Sequence, residues 1–184
     1  MEILKNNYIS LSISIFVMAI VMAHLFSSGH YDWTKNTISD LGAQGYSRKV
    51  IMQFGFLAFG LILTTGILMN GVSWRTAPIL MYGLCVGLSG IFCTKPFVDG
   101  VSYSANQSFF HSIFAQVAGV SFTIGILIQI FFTTDNQEKY IHLLFFALVI
   151  GLSISFGLLK NNQGIAQRLL YIVSFIWLIK YFKI

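Results

Sequence analysis

The chain is divided into six apolar runs, each near the length that a helix needs to cross a bilayer, separated by short polar segments. The runs cover residues 8–26, 50–70, 77–93, 109–132, 140–159 and 168–182. A helix rising about 1.5 Å per residue needs about 20 such residues to span roughly 30 Å of hydrocarbon. Because lipid offers the backbone no hydrogen bonds, continuous runs of this kind are satisfied as helices. Composition agrees: 9% of residues are charged and 56% apolar, where a soluble domain carries about 25% charged residues. The expectation is an all-α, polytopic membrane protein, a six-transmembrane-helix bundle forming one integral membrane domain over residues 1–184.

Lys5 ahead of the first run and Ser27, Ser28 and Gly29 behind it imitate a secretory leader. The apolar stretch exceeds the roughly 7 to 15 residues of a leader's core, so it is read as a retained helix. Cys85 and Cys93 share one run at a spacing of eight, about 12 Å along a helix and too far for a disulfide. No CxxC metal spacing occurs. The net charge of +5 comes from basic residues scattered at run ends, where they meet headgroups, with no basic cluster interleaved with aromatics. Membrane lipids are the expected partners, and nucleic acid is not.

Six crossings bring both termini to one side, with the connections near residues 72–76 and 133–138. The other side receives residues 27–49, 94–108 and 160–167, which carry most of the chemistry: His30, Asp32, Ser39, Asp40, Lys95, Asp99, Lys160, Asn161, Asn162 and Gln163. Run ends add His24, His111 and Arg168 there. Basic residues are denser on the short terminal side, which by the positive-inside rule places the termini in the cytoplasm of a cell-membrane protein.

Small residues recur at helical spacing. Gly83, Gly87 and Gly90 form a flat stripe that lets another backbone approach. His111, Ala115, Ala118, Phe122, Gly125 and Gln129 form a second stripe, flanked by Ser112, Gln116, Gly119 and Thr123, and are expected to face inward because lipid leaves glutamines unpartnered. Gly151 with Ser155 and Ser153 with Gly157 repeat the small-xxx-small pattern and read as bundle packing. Trp33, Trp74, Tyr103, Tyr140 and Tyr181 fall where interfacial anchors belong.

The island from Asn36 to Ala43 has the sharpest local grammar. Ser39 or Asp40 is positioned to cap a short helix, and Gly42 and Gly45 provide bends. If buried, Asp40 needs a partner, and Arg168, His111 and Lys95 are the candidates. His24, His30 and His111 share a side with Asp32, Asp40 and Asp99, a set that would suit zinc, yet no H-x-x-x-H or H-E-x-x-H spacing holds two histidines on one helix. No cofactor is expected. Ser39, Asp40 and His111 are also the residue types of a nucleophile, orienter and base, although the G-x-S-x-G elbow is missing.

These residues fall into an ordered set: Asn36-Thr37-Ile38-Ser39-Asp40-Leu41-Gly42, Gly90-x-Phe92 leading to Pro96-x-x-Asp99, His111-x-x-x-Ala115, and Gly164-x-x-Gln167-Arg168. In that order they resemble the multi-pass membrane family called domain of unknown function 998, with Cys93-Thr94-Lys95 as a departure. The resemblance implies a prokaryotic-type six-helix membrane bundle and no particular reaction. More distantly, the layout is similar to alkaline ceramidases and adiponectin-receptor-like hydrolases, whose seventh helix and paired histidines are missing here.

Asp40, Asp99, His111 and Arg168 are thus expected to line a polar pocket where the first loop covers the ends of the third, fourth and sixth helices, with Asn36 and Ser39 shaping the loop. The leading functional reading is binding of a lipid headgroup or small amphiphile, Arg168 engaging its anionic part. A membrane hydrolase of lipid esters or amides, a small transporter and a scaffold are the alternatives. The terminal-side halves of the helices are nearly free of ionisable groups, His142 apart, which disfavours ion relay.

Overall fold

The computed structural model describes residues 2–183 without the side chains of residues 2–6, so Met1, Ile184 and the Lys5 side chain lie outside the described residues. It contains six α-helices: α1 Glu2–Leu25, α2 Lys49–Asn70, α3 Ala77–Ile91, α4 Ala105–Phe132, α5 Asn136–Leu158 and α6 Gln163–Lys180. Short 3-10 turns at Ser39–Gly42 and Lys160–Asn162 complete the described elements. α2, α4, α5 and α1 from Asn7 onward are long and apolar enough to cross a membrane. α3 is also apolar but has only 15 residues. The expected all-helical membrane bundle is therefore the fold.

Helix starts precede the apolar runs by up to six residues, as in α1, which begins at Glu2 rather than residue 8. The reason is capping: an apolar run marks where hydrocarbon begins, whereas a helix begins at its cap. Ser104 accepts from the Gln107 amide to start α4, and Asp135 accepts from the Gln137 and Glu138 amides to start α5. Pro78 opens α3, where a missing N–H costs nothing.

Successive helices pack as neighbours, and α1 also meets α6, which closes the bundle into a ring. An aromatic core ties it together: the Phe16 ring of α1 lies 5.3 Å from Phe59 of α2 and 5.8 Å from Phe175 of α6, and Trp177 lies 5.3 Å from Phe122 of α4. The glycine stripe of α3 meets α2 as expected. A Cβ on Gly60 would stand 2.5 Å from the Gly87 Cα, and one on Gly90 would stand 2.9 Å from the Gln53 carbonyl oxygen, so only glycine permits this backbone approach.

The α4 stripe turns inward in part. His111, Ala118, Phe122, Gly125 and Gln129 are buried, and Gln129 donates to the Lys183 carbonyl at 2.9 Å, whereas Ala115 and Gln116 are exposed. α5 departs from expectation altogether. His142 accepts from Trp177 Nε1 at 3.0 Å, anchoring the first half, but beyond Val149 no residue of α5 is buried, and a Cβ on Gly151 or Gly157 would meet nothing within 4 Å. Small residues allow a helix to be approached closely; they do not supply the neighbour. The result is a gap beside the loop-side half of α5.

Candidate functional site

The first loop is held by two sets of bonds that together form a polar rim over the bundle. Its 3-10 turn is closed by a capping box: Asp40 Oδ2 accepts from the Thr37 amide at 2.7 Å, and the Asp40 amide donates to Thr37 Oγ1 at 3.2 Å. Asp40 rather than Ser39 therefore does the capping, reciprocally with Thr37. Half-buried beneath the loop, the Asp40 carboxyl has its pKa raised by desolvation, which outweighs its bonds to Thr37 and Asn36 and the nearby charge of His111. Asp32, at the surface, is held lower chiefly by hydrogen bonds from Thr34, whose hydroxyl donates to it at 2.6 Å.

The start of α6 receives this loop. The Gly164 and Ile165 amides, which a helix terminus leaves unpaired, donate to the Lys35 and Thr34 carbonyls at 3.1 and 3.2 Å. Gly164 is required here, because a Cβ would stand 2.3 Å from the Trp33 oxygen and 2.4 Å from the Asn36 oxygen. Gln167 Oε1 accepts from the Ile38 amide at 2.6 Å. Arg168 then acts as the hub. It donates to the Asn36 and Gly164 carbonyls at 3.1 and 2.7 Å, to His24 Nε2 at 2.7 Å and to the Tyr31 hydroxyl at 2.6 Å. Four of its five N–H groups are thus used within the chain.

The tautomer of His24 follows from its partners: Nδ1 donates to the Ile20 carbonyl at 2.9 Å and Nε2 receives the guanidinium, so the ring is neutral. Burial pushes the Tyr31 hydroxyl up to about 12, so it stays protonated and donates onward to the Thr37 carbonyl at 2.8 Å. Phe97, from the second loop, packs edge-on against the Tyr31 ring at 5.8 Å.

The second set of bonds caps the short α3. Where that helix ends at Ile91, its last carbonyls would be orphaned at the membrane boundary. His111 Nδ1 donates to the Ser89 and Phe92 carbonyls at 3.0 and 2.8 Å, and Gln53 reaches the Gly90 carbonyl at 3.3 Å. Gln44 bridges the two loops, donating to the Cys93 and Ser104 carbonyls at 3.1 and 3.0 Å and accepting from the Ser104 amide at 2.7 Å.

Beneath this rim, in the gap left by α5, lies a cavity of about 570 Å³. Its walls come from α4, α5 and α6, its floor from Phe56, Tyr82 and Val86, and its loop end from Ser39. The lining is mainly apolar, and none of the lining residues is charged. Gln116, Gly119 and Val120 of α4 and Ile150 and Ser153 of α5 line it while remaining exposed, so it opens sideways, towards the space that lipid occupies. Ser39, Gln116 and Ser153, together with the Gln167 Nε2, stand around its loop end, and none of these groups makes a hydrogen bond within the described residues.

The profile of the family described as "Protein of unknown function (DUF998)" matches residues 10–182. The chain belongs to this family. Among curated proteins and solved structures nothing matches it, and the layout analogy to ceramidases gains no support. The four DUF998-like motifs map onto the rim. Thr37 and Asp40 form its capping box, Gly90 and Phe92 sit at the end of α3, His111 caps that end, and Gly164, Gln167 and Arg168 hold the loop.

Of the residues expected to line one pocket, Asp40 is bonded by Asn36 and lies near enough to His111 to feel its charge, and Arg168 reaches Asn36 through its backbone carbonyl. Arg168 does not pair with Asp40; its donors are taken by the loop and His24. Asp99 is exposed, as are Lys95 and His30, because the second loop turns its Phe97 inward instead. Ser39 lines the cavity but shares no hydrogen bond with His111, whose Nδ1 is committed to α3. Among the described residues no three His, Cys, Asp or Glu side chains group as metal ligands, and His24, His30 and His111 have the separate surroundings just given. Gln44, Gln167 and Tyr31 were missed as rim residues; only Gln167 had a signal, its place beside Arg168 in a motif.

Proposed function

We propose that this protein binds a membrane amphiphile, its apolar chain in the side-opening cavity and its head at the loop end among Ser39, Gln116, Ser153 and Gln167. The observation that carries this reading is a mainly apolar volume of about 570 Å³ with the hydrogen-bonding groups at its loop end left unused. That size falls within the range of small-ligand sites, about 300 to 1,000 Å³, which are likewise apolar with a few placed polar groups. The head it suits is uncharged. Arg168 is occupied by the rim, so a neutral hydroxyl or amide head fits better than the anionic one that the basic residue first suggests. With the termini in the cytoplasm, the head would lie in the outer leaflet.

Lipid analysis of protein purified in mild detergent tests the reading, with Gly119→Leu as the comparison. Gly119 lines the cavity and a Cβ there would meet nothing within 4 Å, so a larger side chain can be added at the cavity wall without disturbing packing. The expected result is one lipid class enriched with the wild-type chain and depleted severalfold with Gly119→Leu at unchanged melting temperature. Equal lipid profiles for the two proteins would overturn it.

A further inference from the structure

We infer that the amphiphile carries a second oxygen on its chain, about 10 Å from the head, which Ser174 of α6 receives at the deep end of the cavity. This rests on the amphiphile reading and narrows it to a chemical class, ligands with a hydroxyl or keto group part-way along an otherwise apolar chain. Ser174 lines the cavity, is 5% exposed, and makes no side-chain hydrogen bond among the described residues. Among those residues the buried, unpaired hydroxyls shut off from any surface are those of Tyr8, Thr64 and Tyr82, and Ser174 is not of that group. A serine side chain is only two heavy atoms long, so where it lines a wall its oxygen is at the wall.

The hydroxyl is free although its own helix offers it a partner. Ser89 and Thr123 line the same cavity, and each returns its hydroxyl to the carbonyl four residues earlier on its own helix, at 3.0 and 2.9 Å. Such a bond is the ordinary resting place of a hydroxyl inside a membrane, where no solvent pairs it. Ser174 forgoes it and keeps both a donor and an acceptor for whatever fills the cavity.

Depth sets where on the ligand that oxygen sits. The face that α6 turns to the cavity runs through Gln167, Leu170, Tyr171 and Ser174. Gln167, with its unused Nε2, stands at the loop end, and Ser174 lies two helical turns further along, about 10 Å deeper. An extended chain advances about 1.2 Å per bond, so a head at Gln167 brings an atom roughly eight or nine bonds away beside Ser174. A plain methylene there would cover the hydroxyl and leave it unpaired, the costly outcome for a buried donor. A hydroxyl or keto oxygen completes the bond, and the rest of the chain leaves through the side opening.

The test is a competition read by native mass spectrometry. Wild type and Ser174→Ala are each offered equal amounts of octadecanamide, its 10-hydroxy derivative and its 16-hydroxy derivative, which share a neutral head and differ only in the chain oxygen. Wild type is expected to favour the 10-hydroxy amide over both others by about fivefold, the order of one side-chain hydrogen bond made inside a membrane. Ser174→Ala, which removes one heavy atom from the wall, is expected to take the 10-hydroxy and plain amides about equally at unchanged melting temperature. Equal uptake by wild type of all three, or of the two hydroxylated amides, overturns the chain-oxygen assignment while the amphiphile reading stands. A 10-hydroxy preference that survives in Ser174→Ala does the same. If no probe binds but native lipid still co-purifies in a Gly119→Leu-sensitive manner, the assignment again fails alone. If neither probe nor any native lipid is retained, both readings fall.

Discussion

The rim and the cavity wall beneath it are built from the same kinds of residue and use them in opposite ways. On the rim, Arg168, His111, Gln44 and Asp40 spend their polar atoms on other groups of the chain, backbone carbonyls and amides foremost. On the wall, Ser39, Gln116, Ser153 and Tyr171 leave theirs unused. The charged and aromatic-ring ionisable groups that look most chemical are thus the fastenings. The plain hydroxyls and amides are what remains to meet a ligand.

This contrast is sharpened by substitutions that must cost stability on the rim and none on the wall. Gly164→Val should have the largest effect, about 3 kcal/mol, because its side chain would overlap two backbone oxygens that cannot retreat without lifting the loop. Thermal unfolding in detergent reads this, and a melting temperature equal to wild type would mean that the loop does not rest on α6 as described. Arg168→Ala should follow at about 2 to 3 kcal/mol, since it strips donors from two carbonyls, His24 and Tyr31 together. Arg168→Lys should restore less than half of that loss, a point charge being unable to reproduce the fork. His111→Ala should cost about 1 to 2 kcal/mol by leaving the Ser89 and Phe92 carbonyls without their side-chain donor, and hydrogen exchange at the end of α3 should quicken with it.

The smallest rim effect is a dependence on pH. Desolvation holds the Asp40 carboxyl above its ordinary pKa, so the folded chain binds that proton more tightly than the unfolded one. Its contribution to stability is present below the ordinary carboxylate value of about 4 and is lost as pH rises through the higher folded value. Asp40→Asn keeps a capping oxygen and removes the titration. The variant should therefore gain on wild type between acid and neutral pH, and a difference in melting temperature that stays flat across that range would contradict the burial of this group.

Much of the fold was legible because it depends on side-chain character. Hydropathy marked the crossings, and Gly83, Gly87 and Gly90 marked a face that α2 could approach. What stayed hidden depends on partners with no residue signature. His111 bonds backbone carbonyls, which every residue possesses, so its sequence position pointed equally well to catalysis, metal binding or capping. Arg168 and Asp40 looked like an ion pair because opposite charges shared a side, whereas the loop supplied each with nearer backbone partners. The pattern Gly151-x-x-x-Ser155 promised a packed α5, yet the first half of the helix is fastened by His142 and Trp177 and the second half is not. Tyr82 had no local signal at all, since one tyrosine in an apolar helix is unremarkable until its hydroxyl is seen to lack a partner.

If the opening beside α5 admits a membrane amphiphile, as proposed, that guest need never leave the leaflet to enter. Occupancy then follows the guest's mole fraction among surrounding lipids, not its concentration in the buffer. Adding empty micelles dilutes it in two dimensions, so the same preparation can be full in a native bilayer and vacant after extensive detergent washing.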